Sequence, residues 1–374
     1  MVYADNAATT KLDIEAFEAM KPYLLEQYSN ASQPYSFARS AKKALKQARE
    51  IIAACINADP EEIYFTSGGT ESDNWAVKGV MDALDGKSTF LTSQIEHHAI
   101  LHTASAVERM GFTVGLMPVS EKGVVSPETI EEYITENTKL VSVMFANNEI
   151  GTIQPIKELA KIAHDKAVIF HTDAVQAVGH VPIDVKELGI DMLSASAHKF
   201  NGPKGVGFLW VKKGTPLKSY MDGGAQERGA RAGTENIASI VGMAISLKNN
   251  CNIMESTIAH LRRLEKKLLE ELRKKNIDFI RNGSDFKIPG NISLSFKGFK
   301  GEMLLHRLDL KGICVSTGSA CDSQNTQISH VLKAINLSEE YALGTIRISL
   351  GKDNSEYDIY QIVDAIESIV SRRA

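Results

Sequence analysis

Four short stretches hold residues whose types and spacing could do chemistry. Residues 65–74, Phe-Thr-Ser-Gly-Gly-Thr-Glu-Ser-Asp-Asn, pass from an apolar run into a helical pattern through two glycines and a threonine. Glycines let a ligand approach the backbone closely, a helix start offers free N–H donors and Thr70 adds a hydroxyl, so Gly69 and Thr70 could cup a phosphate. The same residues could also cap a helix and nothing more. Neither GxGxxG nor GxxxxGK is present there, which counts against dinucleotides and nucleoside triphosphates. A second apolar run ends on a carboxylate at Phe170-His171-Thr172-Asp173. If buried, that group needs donors or a cation, which a helix cap or a protonated ring nitrogen would supply. Twenty-six positions on, Lys199 follows Ser196-Ala197-His198 at another strand end. A lysine held there can form a Schiff base with a carbonyl; Lys204, between Pro203 and Gly205, is the alternative. Finally, Cys321 sits in a small, polar stretch, 315–325, unlike Cys55 in the apolar run 51–56. Its setting suits reaction better than packing.

The elements that must position these residues follow from periodicity. Short apolar runs at 63–66, 89–92, 140–145, 168–171 and 207–211 alternate with helical patterns at 69–84, 98–110 and 156–166. Repeated strand-then-helix order with near-continuous apolar strands predicts a mainly parallel sheet covered on both faces, with ligands at the carboxyl ends of its strands. From about 234 to 275 one long charged helix, or a helix pair, is expected. A strand at 291–296, a helix near 301–310, a strand at 345–349 and a closing helix from about 355 then read as a smaller α+β domain.

At 374 residues the chain exceeds one hydrophobic core, in keeping with two domains. A net charge of −4 gives no general reason to expect nucleic acid or an anionic membrane as partner. The cysteines at 55, 251, 314 and 321 form no CxxC or CxxH pairs, so neither a metal site nor a disulfide scaffold is expected. With no basic-then-apolar leader and no membrane-length apolar run, a cytoplasmic protein is expected.

Taken together, these residues match a family. The chain resembles the pyridoxal-phosphate-dependent cysteine desulfurases of the NifS/IscS type, within the class V aminotransferase group. The likeness runs nearly end to end: residues 5–10, the 66–72 loop, Glu96-His97, Asn147-Asn148-Glu149-Ile150-Gly151, 171–176, 196–199, 228–236, 318–321 and Ile346-Arg347. It implies a fold-type I PLP-dependent transferase. The large cofactor domain, 13–245, would hold a mainly parallel seven-stranded sheet. The smaller α+β domain, 1–12 with 246–374, would carry the cysteine loop.

The resemblance also implies roles. Lys199 would hold pyridoxal 5'-phosphate covalently and move the substrate's α-proton; Asp173 would keep the ring nitrogen protonated. His97 would stack on the ring and take part in proton transfer, while His98 matches no motif position and reads as a helix-start surface residue. Gln176 would bond the ring hydroxyl. Gly69, Thr70, Ser196 and His198 would hold the phosphate, joined by Thr234 of a second subunit, which makes a homodimer part of the expectation. Arg347 would bind the substrate carboxylate with Asn148, itself beside the cofactor, assisting. Cys321 would take sulfur from L-cysteine as a persulfide and pass it to an acceptor such as an iron–sulfur scaffold or a tRNA-thiolation enzyme, while Cys251 and Cys314 read as structural. Fold and Lys199 alone do not separate a desulfurase from a selenocysteine lyase, a β-lyase or an aminotransferase. A scaffold without catalysis would have little reason to keep Lys199, Asp173 and Cys321. Two stretches depart from the family pattern. Residues 30–38 lack its histidine, which bears on the site entrance, and residues 322–327 differ after the cysteine, which bears on the choice of acceptor.

Overall fold

The computed structural model describes residues 1–84, 88–317 and 328–371. Seven strands form the main sheet in the order Ile63–Thr66, Gly207–Val211, Met192–Ser196, Ile169–Asp173, Thr138–Ser142, Thr89–Ser93 and Thr113–Met117. Neighbours run parallel except around Gly207–Val211, which is antiparallel to both its partners. Side chains alternate between faces with the period of two that strands impose. Phe170, Leu193, Phe208 and Trp210 join one core, and Phe90, Leu140, Met192, Leu209 and Val211 another. The helix Gly69–Ala83 seals the second face with Trp75, Val77 and Val80, all fully buried. Trp75 keeps its indole N–H satisfied by donating to the Lys218 carbonyl at 2.9 Å.

One strand forms where no run was expected, one expected run ends early, and one open alternative is decided. The strand Thr113–Met117 has no apolar run to announce it; it is the sheet's edge, carries Gly115, and is largely open to solvent. The run expected as a strand to 145 ends at Ser142, because the Met144 N–H turns to the Glu96 carboxylate. The 234–275 region is a helix pair, Ile237–Asn252 and Met254–Lys274, broken at Ile253.

A further core gathers Leu261, Leu264, Leu268 and Leu272 of the second of these helices around the antiparallel strands Asn291–Ser295 and Thr345–Ser349 and the final helix Glu356–Val370. The chain's first residues belong to this core: Val2–Tyr3 pairs in parallel with Ile313–Cys314, burying Val2 and Ala4. The thiols of Cys55 and Cys251 meet through a hydrogen bond that pushes Cys55 up and Cys251 down. No helix among the described residues is long and apolar enough to cross a membrane.

The glycine loop and the sheet touch directly. A Cβ added at Gly207 would lie 2.4 Å from the Ala195 carbonyl oxygen and 2.7 Å from the Gly68 Cα, both backbone atoms. Gly207→Ala is therefore expected to lower the thermal unfolding midpoint through an overpacking cost of about 1–3 kcal/mol. A melting curve unchanged by that methyl group would mean that the two backbones part freely.

Candidate active site

The carboxyl ends of the parallel strands open into a cavity of about 520 Å³, where ligands of such sheets sit. Its wall includes Gly69, Thr70, His97, Asn148, Asp173, Gln176, Ser196, His198, Lys199 and Arg347, so residues far apart in sequence meet in one place. Thr234 is exposed and is not among the lining residues of its own chain. Cys321 lies outside the described residues.

Lys199 follows the strand Met192–Ser196 by one short turn, Ala197–Lys199. Its ammonium donates to the carbonyl oxygens of Ala7 and Ala8, at 2.6 and 2.8 Å. Backbone oxygens thus aim the amine without the full charge that a carboxylate would add. Lys204, the alternative, also borders the cavity but is exposed, whereas Lys199 is half-buried.

Asp173 ends its strand buried and accepts the Val175 N–H at 2.9 Å. Burial pushes its pKa up to about 6, against that hydrogen bond and the nearby Lys199. The glycine cup lies at the start of Gly69–Ala83, where Gly68 takes φ +151° and a Cβ at Gly69 would sit 2.5 Å from Val175 Cγ2. The space that glycine leaves thus lies beside Val175, against the loop that follows Asp173. Gln176 donates to the Ala7 carbonyl at 3.1 Å, and His198 Nδ1 faces the Thr9 hydroxyl at 3.2 Å.

His97 caps the helix His98–Arg109, its Nδ1 accepting the Ala99 N–H at 3.1 Å. Since Nδ1 is an acceptor, Nε2 carries the ring's proton. Burial, aided by Lys199, lowers the pKa of His97 to about 4, and burial with Lys199 does the same to His198. Both imidazoles are neutral near pH 7. His98 is more enclosed than a surface residue: half-buried, it meets the rings of His102 and His330 edge-on at 5.1 Å each.

Arg347 stands on the strand Thr345–Ser349, buried at 5% exposure. It donates to the Asn148 carbonyl at 3.0 Å and to Asp5 Oδ1 at 2.8 Å, while its buried Nε has no partner among the described residues. That leaves a donor for an incoming carboxylate.

Sequence reasoning gave no role to several groups here. Asp73, within the quoted 65–74 stretch, lines the cavity almost fully buried. Glu96 is buried under the site and raised by burial to about 8, although Ser93 and the Met144 N–H bond it. Glu149 is raised by burial to about 7 and accepts the Ser329 hydroxyl at 2.6 Å. Glu96 and Glu149 both stood in motifs already singled out. The available signal was a carboxylate among apolar neighbours, Ile95 and Ile150.

A model of the class-V aminotransferase family matches residues 2–362. The chain belongs to that family. Within it, the chain is 47% identical over 373 residues to the cysteine desulfurase IscS of Dictyoglomus turgidum, covering 99% of this chain and 95% of that one. A solved NifS-like protein superposes with a TM-score of 0.94 at 38% identity, covering 99% of each chain. SspA, solved in complex with cysteine, matches with a TM-score of 0.84 at 36% identity, over 95% of this chain and all of its own. The class-V chain is accordingly of the NifS/IscS type, with the fold-type I architecture expected of it.

One titration isolates a single buried group. His171 sits between the hydroxyls of Ser142 and Ser194, at 2.8 and 2.9 Å, and burial lowers its pKa from 6.5 to about 3. Because the folded value is the lower one, its stabilising contribution is complete above 6.5 and is lost as pH falls towards 3. His171→Asn is expected to make unfolding free energy shallower against pH by about 1.4 kcal/mol per unit between about pH 6 and about pH 4. Equal slopes for the two proteins would show the native ring already charged.

Proposed function

We propose that the chain binds pyridoxal 5'-phosphate in this cavity and acts in the cytoplasm as a cysteine desulfurase. L-cysteine would leave as L-alanine and its sulfur would become a persulfide on Cys321. An acceptor protein, such as an iron–sulfur scaffold or a tRNA-thiolation enzyme, would then receive it. The observation that carries the reading is the convergence of Lys199, Asp173 and a glycine cup on one cavity.

The residues fit the cofactor by their chemistry. Gly69 and Thr70 open a helix of 15 residues, whose unpaired N–H groups and positive dipole end suit a phosphate; Ser196 and His198 border the same space. When bound, pyridoxal phosphate supplies a ring that draws negative charge away from the substrate's α-carbon. Asp173 would hold a proton at the ring nitrogen, a positive partner for a buried carboxylate. Lys199 would hold the cofactor covalently and move the α-proton. His97, neutral and with its proton on Nε2, would cover the ring and donate from that atom. Gln176 would bond the ring hydroxyl.

Arg347 would receive the substrate carboxylate at its Nε, unpartnered among the described residues, with Asn148 beside it. The Cys321 thiolate would attack the substrate sulfur, so that the S–S bond forms as the C–S bond breaks and the carbon gains a proton. Thr234, exposed and outside its own cavity, would reach the phosphate of a second copy, and a homodimer belongs to the proposal.

With L-cysteine and a reductant, the protein should yield alanine and sulfide in equal amounts. Lys199→Ala is expected to lower alanine formation roughly 10²–10⁴-fold. Cys321→Ala should keep the cofactor's yellow colour yet stop sulfide release. Full sulfide release by that variant would remove Cys321 from the reaction. Repeated turnover that depends on an added keto acid would point to an aminotransferase instead.

A further inference from the structure

The mechanism uses one of two carboxyls at the base of the cavity and leaves Asp73 without a role. Asp73 lies on the first turns of Gly69–Ala83, 1% exposed, and borders the same space as Asp173. Its Oδ1 is buried with no hydrogen-bond partner among the described residues. The nearest positive candidate, His171 Nε2, is 3.9 Å away and belongs to a ring that burial keeps neutral. The Ser194 hydroxyl lies against the carboxyl, and Ser194 is the cross-strand neighbour of Asp173.

The titratable groups facing Asp73 are therefore Asp173 and His171 from the adjoining strand and Glu96 from the loop before the next helix. None of them is a cation. Two carboxylates side by side in a dry site do not both ionise. The imbalance decides which keeps the proton: Asp173 has the Val175 N–H and Lys199 nearby, whereas Asp73 has a serine hydroxyl. Burial, with Asp173 next to it, holds Asp73 well above the usual carboxylate range.

We propose that Asp73 is a positioning residue whose carboxyl keeps its proton, so that Asp173 alone bears the negative charge offered to the cofactor's ring nitrogen. This rests on the reading of the cavity as a pyridoxal phosphate site. A protonated Asp73 donates a hydrogen bond into the network of Ser194 and His171. An ionised one would force the shared proton onto Asp173 and cancel the charge that the ring nitrogen needs.

Two measurements on Asp73→Asn and Asp173→Asn test this, and the first needs no cofactor. A carboxyl raised in the folded state contributes stability that is complete below its unfolded value of 3.8 and is lost as pH rises through its folded value. In the apoprotein, Asp73→Asn should make the fall of stability with rising pH shallower by about one proton. A slope equal to that of the wild type would overturn the proposal, because Asp73 would then be ionised in the folded chain. The second measurement adds pyridoxal phosphate and follows its visible absorbance against pH. Asp73→Asn should keep the wild-type profile, while Asp173→Asn shifts it and weakens cofactor retention at least about tenfold, the size of one lost charge-assisted bond. The same loss in Asp73→Asn would make Asp73 the anion and overturn the assignment. Should no form take up pyridoxal phosphate, the cofactor reading fails while the apoprotein slope still decides the protonation of Asp73. Should Asp73→Asn not fold, Asp73→Ser keeps a donor and carries the same expected slope.

Discussion

A carboxyl group taken out of water persists only where donors, a cation or a proton neutralise it, and four are buried in or next to this cavity: Asp73 and Asp173 in its wall, Glu96 and Glu149 beside the lining residues His97 and Asn148. Each is answered differently. Glu96 takes the Ser93 hydroxyl and the Met144 N–H, and in doing so bends the chain out of the strand that ends at Ser142. Glu149 takes Ser329 and feels Arg347. Asp173 takes the Val175 N–H and lies near Lys199. The Glu96 pairing ties the loop after Thr89–Ser93 to the loop after Thr138–Ser142, so one contact both satisfies a carboxylate and fixes the chain beside the pocket.

Much of this was readable in the chain itself. Lys199 and Asp173 stand at strand ends, where a polar residue after a buried run is conspicuous, and Gly69 and Thr70 sit where a helix must begin. The near-continuous apolar strands announced the sheet. What stayed hidden shares a cause: the informative atom was backbone, or the partner was distant. Nothing in the alanines at 7 and 8 says that their carbonyls will receive an ammonium from residue 199. Asp5 does not reveal that it will meet Arg347, nor Cys55 that Cys251 ends the neighbouring helix. Thr113–Met117 escaped notice because an edge strand needs no apolar run.

Asp73 is the instructive omission. It was in plain view beside the glycine cup, yet helical position gives no warning of a buried acid unless the helix's whole environment is known. Among helix residues an aspartate ordinarily faces water, and here the neighbouring Ser72, Trp75 and Ala76 are buried as well. The sheet below this helix supplies hydroxyls and imidazole where solvent would otherwise be.

The opening segment of the polypeptide finds its partners at the far end of the chain. Val2 waits for Ile313, and Asp5 for Arg347, before either is satisfied. Contacts so far apart along the chain close late and slow the search for the native state. On a ribosome the sheet strands up to Val211 emerge well before Ile313 and Arg347, so the outer end of this segment is paired only once the last third of the chain has been made.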